Sequence, residues 1–200
     1  RYSARLTFHF DSSRHTLAEV SATAQRKTPD VRMVHDALIH QGMHLKQLAS
    51  NEYRFTFKHA EMVDLDLRAT YMSHNTWYDS SLYLYEGTKE LWLYQTRLTT
   101  HLHAGWLHLD MQHLLQFSTD SVQMPVPLWA VKGSLYADMK LFRGALRAQI
   151  GADVRYHTSF YAPGYDPYTG LFYHQDQVQV GDYIWADIFI NLNVKRASFY

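Results

Sequence analysis

Thirteen histidines are spread along this 200-residue chain, and the groups best placed for chemistry fall together: His101 and His103, then His108 and Asp110 just past Gly105. Imidazoles at i and i+2 on one strand, facing others on its neighbour, could approach a divalent ion. So many histidines produce such pairs by chance, so the spacing assigns no metal and none is expected. Asp64 and Asp66 repeat the same period, but Arg68 follows two residues on, and the row reads as balanced charge rather than an acid–base pair. Ser134 and the His157–Ser159 pair offer hydroxyls with nothing in the sequence to place a base beside them. Neither G-x-S-x-G, H-E-x-x-H nor a phosphate loop occurs. The expectation is therefore a protein that is not an enzyme and carries no cofactor.

The elements that must carry these groups are strands. Successive side chains of a strand point to opposite sides, so strict alternation means two different surroundings. Ten stretches alternate in this way: 2–10, 16–26, 53–58, 63–71, a fifth ending at Ala104, 107–117, 129–141, 146–157, 184–194 and a last one opening at Ser198. In 53–58, for example, Tyr53, Phe55 and Phe57 oppose Arg54, Thr56 and Lys58; in 129–141, Val131, Leu135 and Met139 oppose Lys132, Ser134 and Asp138. Trp185 and Phe189 are two large residues on the polar side of the ninth. The apolar rows avoid Asp, Glu, Lys and Arg, whereas nearly every polar row carries one. A charge facing lipid at mid-depth costs about 2–4 kcal/mol in a membrane barrel, which gives one face a reason to exclude it.

The links alternate short and long. Asp11–His15, Glu61–Met62, Gly105, Phe142–Ala145 and Lys195–Ala197 are tight; the roughly 25 residues before Asn51, then His74–Glu90, Ser118–Leu128 and Phe160–Asp182, are long. An up-and-down order puts all the tight links at one rim and all the long ones at the other, the arrangement of outer-membrane barrels. A soluble barrel also alternates, but has no reason to sort loop length by rim. The expected fold is all-β: an antiparallel up-and-down transmembrane β-barrel, with about ten strands of a larger one.

Composition agrees. No run of 18 apolar residues occurs, and the mean hydropathy of -0.35 is what a barrel gives when only alternate residues meet lipid. Tyr71, Trp92, Trp106, Phe117, Trp129 and Tyr156 fall near strand ends, as an aromatic girdle requires. Zero net charge argues against nucleic acid, and the absence of cysteine excludes disulfides and thiolate metal sites. The chain reads as one barrel domain, 1–200, and as an internal piece of a longer barrel, because Arg1 is not a start methionine and Tyr200 interrupts an alternating pattern. Residues 28–51 are not assigned; the apolar positions between Val31 and Leu48 suit either a short helix or a strand pair within an external loop.

The runs LHLDMQHLLQF at 107–117, MPVPLW at 124–129 and above all GADVRYHTSFYAPGYDPYTGLFY at 151–173, followed by DIFIN at 187–191, carry a family likeness. From about Thr70 to Tyr200 the chain resembles the putative porin family of Bacteroidota outer membranes. The resemblance implies an outer-membrane β-barrel with a porin-like transport role and no catalytic residues.

The main expectation is passive diffusion of small hydrophilic solutes through a polar lumen in the bacterial outer membrane. Its lining would be Arg54, Lys58, Asp64, Asp66, Arg68, Arg97, Asp110, Lys132, Asp138, Lys140, Arg147, Asp153, Arg155 and Asp187, whose mixed signs predict weak ion selectivity. The loop 160–182 carries Tyr161, Tyr165, Tyr168, Phe172 and Tyr173 among prolines and glycines. It suits a constriction folded into the lumen, an aromatic platform for a sugar or peptide, or a loop packing its own side chains over the rim. The rival function is a plugged barrel that binds through its long loops. Expected partners are outer-membrane lipid, small solutes, and a second copy or an envelope component.

Overall fold

Alternation becomes pairing throughout the computed structural model, which describes residues 1–10, 15–87, 89–194 and 197–199. In chain order the elements are β1 (Tyr2–His9), β2 (Thr16–Lys27), α1 (Val31–Gln41), β3 (Leu48–His59), β4 (Val63–Ser73), β5 (Thr76–Tyr78), β6 (Leu84–Glu86), β7 (Leu91–Ala104), β8 (Leu107–Ser118), β9 (Trp129–Leu141), β10 (Leu146–His157), β11 (Gly164–Asp166), β12 (Leu171–Tyr173), β13 (Trp185–Val194) and β14 (Ala197–Phe199). Ten of them form one antiparallel sheet in the order β1-β2-β3-β4-β7-β8-β9-β10-β13-β14, each long strand beside its sequence neighbour, while β5 with β6 and β11 with β12 are separate hairpins. The expected all-β, up-and-down barrel wall is thus present as an open run of strands. The expected turns Asp11–His15 and Lys195–Ala197, apart from His15 and Ala197 themselves, and the interruption at Tyr200 lie outside the described residues.

Register makes the two faces continuous. Leu102, Leu109, Leu135, Ala152 and Ile188 are successive partners across β7, β8, β9, β10 and β13. On the other side His9, Leu17, Lys58, Asp64, Thr99, Gln112, Lys132, Arg155 and Trp185 run from β1 to β13. That second row begins at the last residue of β1, beside a short link, and ends at the first residue of β13, beside a long one. It climbs nine residues over eight strand steps; at about 3.3 Å per residue and about 4.8 Å between strands the tilt is about 38°, inside the range of membrane barrels. From Leu146 to Tyr156, β10 then rises about 26 Å, the height of an apolar band.

On the uncharged face Ala18 and Ala148 are buried between neighbours, but many of the large residues stand exposed. Leu6 is 65% exposed, Leu135 50% and Ile188 84%, with Phe8, Tyr53, Leu67, Tyr94 and Ile190 exposed as well. Monomeric soluble proteins rarely expose contiguous apolar patches beyond a few hundred Å². Aromatic rings edge the face at the long-link rim: Tyr71 meets Trp92 at 5.3 Å, Trp92 stacks on Tyr94 at 5.9 Å, and Trp129 meets Tyr156 at 5.6 Å. Exposed Phe10, Trp106 and Phe142 lie at the short-link rim. Among the described residues of β1–β13, Arg26 is the one charge on this face. It sits one row beyond the row that pairs Ala24, Asn51, Tyr71 and Trp92, outside the girdle.

Two segments differ from the sequence reading. The unassigned 28–51 contains α1 and the first residues of β3, which begins at Leu48 rather than Tyr53. Asp30 caps α1 by accepting from the Arg32 N–H at 2.8 Å, and Gly42 ends it at φ 62°, where the Met43 N–H reaches the Ala37 carbonyl at 2.8 Å. Positions 48–52 do not alternate, but their pairing with β2 and β4 makes them strand. The core sits in the long links: Ala37 of α1, Tyr78 of β5 and Leu84 of β6 are buried together, with Met33, Met43, Leu171 and Tyr173 against them.

Candidate functional site

Every one of the fourteen expected lining residues stands on the same face of the sheet, because each falls at the opposite parity from the exposed apolar rows. Arg5, Glu19 and Glu52 belong to that face too. Period two places them there as firmly as the others, although the expected set omits them.

Part of this face is sheltered, at Asp66 and its neighbours, while Lys58, Arg97, Lys132, Lys140, Arg147, Arg155 and Asp187 are exposed. Asp66 is 6% exposed and Thr56 is buried beside it. Arg54 donates to Asp66 from both Nε and Nη2. Arg68 lies 3.7 Å from Asp66 and 3.7 Å from Glu52. Its Nε is buried with no hydrogen-bond partner among the described residues. The register sets Arg54 directly beside Arg68, and Asp66 across both keeps the two guanidiniums tolerable.

Lower on the wall, Lys58 meets Asp64 at 2.7 Å and His101 Nδ1 meets Asp110 at 2.8 Å. Together with His108, Tyr136, Thr99 and Glu61 they line a recess of about 570 Å³. His103 and His108 are register partners with rings 6.0 Å apart, and His108 stacks on Tyr136 at 4.9 Å, so the imidazoles lie in an aromatic ladder. Among the described residues no three His, Asp or Glu side chains converge as a metal site. Farther round, Asp138 accepts from Arg147 Nε at 2.9 Å and from Gln149 Nε2 at 3.2 Å.

Between these pairs stand like charges. The register puts Lys132 beside Arg155, Lys140 beside Arg147, and Asp153 beside Asp187. Like charges directly opposite on a sheet repel, and at about 5 Å the repulsion falls to about 1 kcal/mol only in water. The face is therefore built to be wet. Phe189, foreseen on this face, meets a second ring there: Tyr136 and Phe189 have centroids 6.3 Å apart across Gly151, where a Cβ would come within 2.5 Å of Tyr136.

At the long-link rim the loops cover part of this face. Ser50, Met72 and Leu91 are register partners on the charged side, and all three are buried. The cover is a cap assembled from three links. Tyr78 Oη donates to Asp36 at 2.7 Å, Arg32 donates to the Thr169 carbonyl at 3.1 Å, and His74 meets Glu86 at 3.0 Å. Burial, then the Asp36 carboxylate, pushes the Tyr78 phenol well above its ordinary value. The five aromatic loop residues are divided rather than gathered. Tyr165 and Phe172 pair across the β11–β12 hairpin at 5.0 Å, Tyr168 is 97% exposed at its tip, Tyr173 joins the cap core, and Tyr161 borders a separate cavity.

Among the described residues no helix is long and apolar enough to cross a membrane. Compared with known families, residues 1–200 match the model of a family described as "Putative porin". No curated protein matches the chain.

Proposed function

We propose, for a chain that belongs to the putative porin family, that its charged face lines a water-filled lumen through which small hydrophilic solutes diffuse passively across a bacterial outer membrane. The observation that carries the reading is the exposure of the large apolar residues: the uncharged rows stand outward while Asp66, Asp138 and Arg68 are sheltered. Hydrocarbon is the surrounding that suits the first, and water the one that suits like-charged neighbours. No catalytic role is assigned, and the chemistry is size exclusion tuned by mixed wall charge. In planar bilayers the protein is expected to give discrete conductance steps with weak ion selectivity. Bilayers that remain silent at high protein load overturn the channel.

The cap favours a second reading. Buried Ser50, Met72 and Leu91 mark a wall partly covered from the loop side, as in a barrel that is closed at one mouth and engages a partner or a second copy through its loops. Silence in bilayers combined with a stable complex in envelope extracts would select it.

A further inference from the structure

Three of the long links enclose a second concavity that the lumen reading does not use. Residues 77–80, 121–126 and 159–179 supply its walls around about 550 Å³, within the range of small-molecule sites. It opens at the loop rim, beyond the aromatic girdle.

The walls are preformed by side chains bonded to their own backbone. Gln175 donates to the carbonyls of Ala162 at 2.6 Å and Val178 at 2.7 Å, and accepts from the N–H groups of Gln177 and Val178. Asp79 Oδ1 accepts from Ser81 and Tyr83, and Asp120 from Val122 and Gln123. A bridge between Phe160 and Val180 closes the base of the longest link. The ordering entropy of a binding loop is thus already met before any ligand arrives.

What faces the cavity is of two kinds. Val122, Pro125, Val126, Phe160 and Tyr161 give apolar and aromatic surface; Ser80, Ser121, Asp176 and Gln179 give polar side chains that make no hydrogen bond among the described residues. All four are exposed in the free protein, so an apolar ligand that covers them removes their water without replacing it, at a cost for each. A phosphate or carboxylate meets Asp79 and Asp176 with no Lys or Arg in the lining. His174 supplies no cation either: burial holds its imidazole below the ordinary value, and Nδ1 lies 2.6 Å from the Val122 carbonyl. A saccharide matches both kinds of surface, with C–H faces for the rings and hydroxyls for the carboxylate, amide and serines.

We propose that this cavity binds a short neutral saccharide from the external medium, with Tyr161 under a sugar ring and Asp176 and Gln179 on its hydroxyls. None of the fourteen expected lining residues belongs to the cavity, so its failure leaves the conductance reading intact.

Calorimetry on the protein in a zwitterionic detergent, free of sugar headgroups, tests this with maltotriose, cellotriose and N-acetylchitotriose, against glucose 6-phosphate and glucosamine as charged controls. At least one neutral trisaccharide is expected to bind more tightly than both controls. Asp176→Ala and Tyr161→Ala are each expected to weaken it about fivefold to tenfold, with unchanged strand circular dichroism and unchanged conductance. No binding by any of the three, tighter binding of a charged control, or binding indifferent to both variants overturns the assignment.

Discussion

Asp66 is the residue on which the charged wall turns, because one carboxylate stands between two guanidiniums that the register holds side by side. Asp66→Ala leaves Arg54 and Arg68 facing each other. Complete burial makes loss of a partner cost about 3–5 kcal/mol, but Arg54 retains access to water, so about 1–3 kcal/mol is expected here. The same change adds uncompensated positive charge to the proposed lumen. Reversal potentials in a potassium chloride gradient are expected to shift toward anion preference; an unmoved potential removes Asp66 from the conduction path. The parity of Arg54, Asp66 and Arg68 was legible from sequence alone. Their mutual bonding was not, because alternation assigns a face but says nothing of which strand lies alongside at which offset.

Strands carry the strongest test, since neighbouring positions on one strand meet different solvents. Leu135 and Ser134 are adjacent in β9, the first on the exposed apolar face and the second between Asp110 and Asp153 on the charged one. Leu135→Arg is expected to destabilise the protein in lipid by about 2–4 kcal/mol, and Ser134→Arg by well under half of that. Denaturant titration in lipid vesicles measures both, and equal costs contradict a lipid-facing side. Most positions of the long strands could be read from period two, with misses at strand ends near the long links, whereas the short hairpins β5–β6 and β11–β12 inside those links were not foreseen. In β7, Leu91 and Leu93 share the charged face with Gln95 and Arg97, so the pattern fades there; Leu91 is buried, an apolar contact that no alternation rule anticipates. Helix α1 has only one buried residue, Ala37, so its apolar stripe was too weak to separate helix from strand.

At the scale of the whole molecule the sheet and the cap are different kinds of construction. The wall repeats one contact between sequence neighbours, while the cap brings Ala37, Leu84 and Tyr173 together from three distant links. Leu84 is 1% exposed at its centre, and Leu84→Ala is expected to weaken the cap by about 2–5 kcal/mol without changing strand content. Under the channel reading it raises single-channel conductance. An unchanged step size separates the cap from the path of solutes. None of this packing was legible beforehand, because the residues that meet lie far apart in sequence and in loops whose composition only announces turns.

The split between neighbour-built wall and distant-built cap sets an order of assembly. Every second hairpin of the wall closes over a few residues and each of the others over a single long link, so no wall contact spans more than one link; the cap needs Ala37 to find Tyr173 across most of the chain, which is affordable only once the strands between have shortened that search. The expected order is a wall that forms first and a mouth that is covered last, so a chaperone or inhibitor arriving late would meet an uncovered mouth.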